Sequence, residues 1–138
     1  MKKLLFINFL LLFCLFSACD KFEKSHSLST GDGSNGPVIT FDESSFNFGV
    51  IESGAVVSHI FKFKNTGKSP LIIKNVTTQC GCTIPTKPEK PIAPGETNEI
   101  KVQFNSNGKS GMQKKLVTIT ANTQPEQAII EIMADVKQ

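Results

Sequence analysis

The chain contains no arginine and no tryptophan among its 138 residues. Without arginine there is no planar guanidinium to grip a phosphate or carboxylate through paired hydrogen bonds. A phosphate-cradling glycine loop is also missing, which argues against nucleotide-driven chemistry. Histidine is scarce: His26 lies in a polar stretch, leaving His59 alone in the rest of the chain. No G-x-S-x-G elbow flanks a serine, so nothing supports a nucleophilic hydrolase. Twelve acidic residues are present, but no spacing among them selects a catalytic pair. We therefore nominate no catalytic residue and no cofactor, and expect a protein that is not an enzyme. No stretch beyond residue 37 sustains a helical period, which removes helical folds from consideration.

The N-terminus is the first informative feature. "MKKLLFINFLLLFCLFSAC" places Lys2 and Lys3 before an apolar block and ends in Ser17, Ala18 and Cys19. A charged start, a short apolar core and small residues at its end are the layout of a secretion signal. The block is shorter than the about 20 residues a spanning helix needs. A cysteine directly after the small pair resembles the lipobox of bacterial lipoproteins, with Phe16 where that pattern usually has an aliphatic residue. The resemblance implies cleavage after residue 18 and lipidation of Cys19. Cys14 fits less well, because the bulky Phe13 precedes it. Several acyl chains on one residue would anchor the chain durably, each buried CH₂ contributing about 0.8 kcal/mol. Cleavage would remove two lysines and lower the formal charge from +3 to +1. A nearly neutral surface gives no electrostatic reason to bind nucleic acid.

Residues 19–37 follow as the lipidated cysteine and a tether rich in Ser, Gly and Asp, with Phe22 and Leu28 as its large apolar residues. Such a segment buries too little surface to offset its ordering entropy and is expected to be flexible. His26, inside it, is expected to be solvated. From Val38 to the end the chain changes to short apolar runs between turn signals. In "VVSHIFKFKN", Val57, His59, Phe61 and Phe63 share one strand face, with Ser58, Lys62 and Lys64 on the other. "NTGKSP" should turn the chain, Gly67 supplying a positive φ. Pro94-Gly95 fits the centre of a type II turn before "NEIKVQF", whose Ile100, Val102 and Phe104 alternate inward. "KKLVTITAN" contributes Val117 and Ile119 to the core. "QAIIEIMADV" contributes Ile130, Ile132 and Ala134, while Lys62, Lys64, Lys101 and Gln103 should be exposed. About seven strands without a helix predict an immunoglobulin-like antiparallel β-sandwich over residues 38–138. Lacking tryptophan, it cannot use the Cys-Trp-Cys core of antibody domains. Six of the eleven phenylalanines lie in this region and can supply the bulk.

The "FxFxNTG" run, "CGCT" and "PIAPG" stand in an order and spacing that resemble the bacterial DUF1573 family. The similarity runs from about Phe41 to Val136 and is most specific between Phe61 and Gly95. It implies an Ig-like sandwich related to major sperm protein and ASH-type domains, secreted or lipid-anchored. It implies no activity.

Cys80-Gly81-Cys82 is the remaining chemical feature. Residues i and i+2 of an extended chain point to one side, and Gly81 between them allows a bend. Three readings stay open. The pair can tie a structural corner, with Pro85 then redirecting the chain. It can exchange thiols, since a disulfide closing so small a ring is expected to be strained and reducible. It can hold a soft metal such as Cu(I) or zinc, although three or four ligands are normally wanted; His59, Met112 and Met133 are the obvious supplements, His59 reading better as core lining. The whole sequence thus points to a lipid-anchored module of the bacterial envelope, on the outer membrane and facing the periplasm or the surface. Its expected role is binding or scaffolding an envelope protein or glycan, with thiol or metal chemistry at Cys80 and Cys82 as the alternative.

Overall fold

Alternation between apolar and polar residues gives two adjacent inner strands of one sheet a buried face and a solvent face. Val56–Asn65 and Thr97–Asn105 pair antiparallel, with Phe61 opposite Ile100 and His59 opposite Val102. Phe61, Phe63, Ile100, Val102 and Phe104 are all buried, while Lys62, Lys64, Lys101 and Gln103 face solvent. The computed structural model describes residues 28–30 and 35–138. The signal segment 1–18, Cys14, Cys19, His26 and most of the tether lie outside the described residues.

Among the described residues there are nine strands: β1 Leu28–Thr30, β2 Ile39–Phe41, β3 Ser45–Glu52, β4 Val56–Asn65, β5 Ile73–Thr78, β6 Thr83–Thr86, β7 Thr97–Asn105, β8 Gly111–Ala121 and β9 Gln127–Lys137. They form a five-stranded sheet, β1-β2-β4-β7-β6, and a four-stranded sheet, β3-β9-β8-β5. Between them lie Phe41, Phe61, Phe63 and Phe104, with Val117, Ile119, Ile130, Ile132 and Ala134 from the opposite sheet. Phe41 and Phe63 pack ring against ring, centroids 5.4 Å apart. Phenylalanine therefore fills the space a tryptophan would take. The Pro94-Gly95 turn forms as expected, with Gly95 at φ +82° and the Glu96 amide bonded to the Ala93 carbonyl at 3.0 Å.

The sandwich departs from the expected pattern in four places. Two strands exceed the seven anticipated. β1 arises within the segment read as tether, where Leu28 packs on the core and the backbone pairs with β2. β6 contains Pro85, which was expected to redirect the chain; instead it pairs with Val102 at the sheet's edge. An edge strand tolerates a residue without an N–H, because one of its sides has no ladder to complete. β3 runs parallel to β9 while the other named pairs are antiparallel. Finally, Gly67 does not adopt the positive φ expected of it. It is required for closeness: a Cβ there would collide with the backbone of Gly36, Pro37 and Val38.

Asn65, two residues before Gly67, joins the "NTG" block to the "PIAPG" block. Asn65 is fully buried. Its Oδ1 accepts hydrogen bonds from the Gly67 amide at 3.0 Å and the Val38 amide at 3.4 Å. Its Nδ2 donates to the carbonyls of Ser69 at 2.9 Å and Ile92 at 3.0 Å. The backbone completes the knot, the Asn65 amide donating to Glu96 and its carbonyl accepting from Gly95. Leu71 and Ile92, both fully buried, bridge alongside. Two of the three recognisable sequence blocks thus meet in one structural joint.

Candidate functional site

The third block stands apart from that joint. β5 is an outer strand of the four-stranded sheet and β6 an outer strand of the five-stranded one. Four residues, Gln79 to Cys82, carry the chain across the side of the sandwich between them. A crossing this short must bend sharply. The Cα atoms of Cys80 and Cys82 are 5.3 Å apart, less than the about 6.6 Å that two strand residues span. Gly81 is the exposed tip, and a Cβ there would meet nothing within 4 Å.

The corner is held from beneath by hydrogen bonds. The Thr83 amide donates to the Cys80 carbonyl at 3.3 Å, closing a turn, and the Asn105 amide of β7 donates to the Cys82 carbonyl at 2.9 Å. The Thr78 hydroxyl lies 3.0 Å from the carbonyl oxygens of both Cys80 and Thr83. Cys80 and Cys82 are joined by a disulfide. Both are half-buried, and Cys82 packs against the core. The Thr83 hydroxyl sits 3.8 Å from the Cys80 sulfur and 3.9 Å from the Cys82 sulfur. Thr83 itself is buried, with 2% of its surface exposed.

Both thiols being consumed in the disulfide, neither is a thiolate ligand in this state. Among the described residues, no three His, Cys, Asp or Glu side chains gather as a metal site. The supplements weighed from sequence are engaged elsewhere. His59 stacks on Phe46 at 3.6 Å, meets Phe61 edge-on, and has its Nε2 2.7 Å from Glu43 Oε1. It is a core-lining residue with one polar partner. Met112 is exposed on β8 opposite Asp135, and Met133 lies on β9 opposite Lys114. Among the described residues, the side-chain hydrogen-bond partner of His59 is Glu43. The two cysteines singled out in the sequence lie together in this corner, whereas Thr78 and Thr83 were not singled out. Their hydroxyls look like those of any strand threonine until the crossing sets Thr78 against two carbonyls of the corner and Thr83 against the sulfurs. Among the described residues, no helix is long and apolar enough to cross a membrane.

Comparison with solved structures returns the same sandwich in diverse settings. A protein of unknown function from Porphyromonas gingivalis aligns with a TM-score of 0.65 at 17% identity, over 75% of this chain and 48% of that one. The ASH/PapD-like domain 7 of human CEP192 aligns with a TM-score of 0.59 at 7% identity, covering 72% of this chain and 85% of that domain. The Vibrio cholerae VesB protease contains a similar unit, with a TM-score of 0.57 at 16% identity over 67% of this chain and 30% of that one. The chain therefore spans about half of the first of these relatives and under a third of the protease. At such identities the likeness shows the fold alone. No curated protein matches the chain. The model of DUF1573, a family described as of unknown function, matches residues 39–136, and the chain belongs to that family.

Proposed function

We propose that this protein is a lipid-anchored, non-enzymatic binding module of the bacterial cell envelope, held to a membrane through Cys19 and docking a protein partner on the outer face of its five-stranded sheet. The observation that carries the reading is a cluster of exposed aliphatic side chains on that face. Gln103 of β7 lies opposite Ser58 of β4 and Ile84 of β6. Val56 and Ile60 flank Ser58 on β4, placing them diagonal to Gln103, within reach of one surface. Val56 is 52% exposed, Ile60 42% and Ile84 59%. Ser58, Gln103, Asn105 and Thr86 between them are uncharged, and Lys101 is the charge within the cluster. Aliphatic groups gathered on a solvated sheet mark a surface that another protein covers. Ile84 also belongs to β6, whose far side is open at the sheet edge and can accept a further strand.

The test is affinity capture from intact envelopes under non-reducing conditions, comparing the native chain with an Ile60→Lys, Ile84→Lys double variant. Loss of a specific partner in the variant, with the same circular dichroism spectrum, is the expected result. Equal recovery of every partner by both proteins would refute this surface.

A further inference from the structure

The Thr83 hydroxyl raises a chemical question that binding does not answer. It is buried, and among the described residues its side-chain partners are the two disulfide sulfurs. A disulfide sulfur is a weak acceptor, so in the oxidised protein this hydroxyl is poorly satisfied in a place where water does not reach it. A thiolate at either position would instead accept a charge-assisted hydrogen bond, about twice as strong as a neutral one. The environment therefore favours the reduced, ionised pair more than it favours the disulfide. The corner is also partly open to solvent, since Gly81 is exposed with free space around it and both cysteines are only half-buried.

We propose that Cys80–Cys82 is a thiol–disulfide exchange site for a dithiol on a partner protein, and that Thr83 promotes its reduction by hydrogen-bonding the departing sulfur. The partner's thiolate attacks one sulfur of the pair. As the new bond forms, the Cys80–Cys82 bond breaks and the other cysteine leaves as a thiolate that accepts the Thr83 O–H. The partner's second thiol loses its proton to water and attacks the mixed disulfide, releasing the first cysteine. The partner, which entered as a thiolate and a thiol, ends with a disulfide, having given up two electrons in the exchange and one proton to water. Cys80 and Cys82 end as the reduced pair, both released as thiolates: one holds the Thr83 hydrogen bond and the other takes a proton from water. The inference is independent of the docking face, because Val56, Ile60 and Ile84 take no part in it.

The full-length protein in detergent, equilibrated in glutathione buffers of known ratio, supplies the test. Mass spectrometry of the peptide carrying Cys80 and Cys82 separates this pair from Cys14 and Cys19. Thr83→Val should shift the equilibrium toward the disulfide about tenfold, which is about 30 mV for a two-electron couple. It should also raise the pH midpoint for alkylation of the reduced pair, while Thr83→Ser keeps native behaviour. An unchanged equilibrium and midpoint in Thr83→Val would overturn the proposal. Should that variant not fold, the native protein decides. A midpoint below the about 8.5 of a free cysteine supports the role, and one at or above it refutes the role. The single Ile60→Lys variant, on β4 and away from the corner, should match the native equilibrium, so failure of the docking reading and failure of this one remain distinct.

Discussion

Asn65 is a buried amide whose four side-chain hydrogen bonds join three separate stretches of backbone. Replacing it with alanine strands the Val38 and Gly67 amides and the Ser69 carbonyl at once, the Ile92 carbonyl keeping its bond from the Leu71 amide, and each buried unsatisfied group costs about 1–3 kcal/mol. Asn65→Ala should therefore lower stability by about 3 kcal/mol or more in urea denaturation, a large share of the roughly 5–15 kcal/mol that holds a domain together. Phe63→Ala should cost about 3–5 kcal/mol in the same measurement, because the side chain is wholly buried against Phe41. The two residues were not equally readable from sequence. Phe63 announces itself through alternation with Lys62 and Lys64. Asn65 and Gly67 read as ordinary turn residues, since nothing local reveals that residues 36–38 and 92–96 will close over them. For Gly67 the same ignorance misassigned the reason: the need was for an absent Cβ, not for a positive φ.

Among elements, the long strands β4, β7, β8 and β9 were visible because each has one buried face and enough residues to display a period of two. β6 and β1 were not. β6 is four residues long with a proline inside, and β1 is three residues in a polar stretch. Both are edge strands, where pairing with a neighbour rather than intrinsic pattern decides the conformation. The parallel pairing of β3 with β9 was equally hidden, being set by which edge remained for β3 to fill. The β5–β6 crossing combines both cases: "CGC" marks the two cysteines as a feature in the sequence, whereas their disulfide and its threonine floor come from the fold. Replacing Cys80 and Cys82 together with serine removes a cross-link over a very short loop and some burial at Cys82. A loss of about 1–2 kcal/mol is expected from thermal or urea unfolding. The double variant should leave capture by the aliphatic face intact.

For the molecule as a whole, circular dichroism should report β-structure without appreciable helix in the folded domain, as its nine strands require. The anchor belongs to this scale too. Cys19→Ser should release the protein from membranes on fractionation or leave an unprocessed precursor, and mass spectrometry of the mature N-terminus should begin at Cys19. Normal processing with full membrane retention would remove lipidation from the proposed function.

The order of the five-stranded sheet then sets a distance. β1, where the N-terminal segment joins the sandwich, is its first strand, and β6, which leaves the disulfide corner, is its last. Four inter-strand steps of about 4.8 Å put roughly 19 Å of sheet between them. The Cys80–Cys82 disulfide therefore lies at the flank of that sheet opposite the strand by which the N-terminal segment enters. With Cys19 lipidated as proposed, the width of the sheet would act as a spacer between the anchored flank and the disulfide corner.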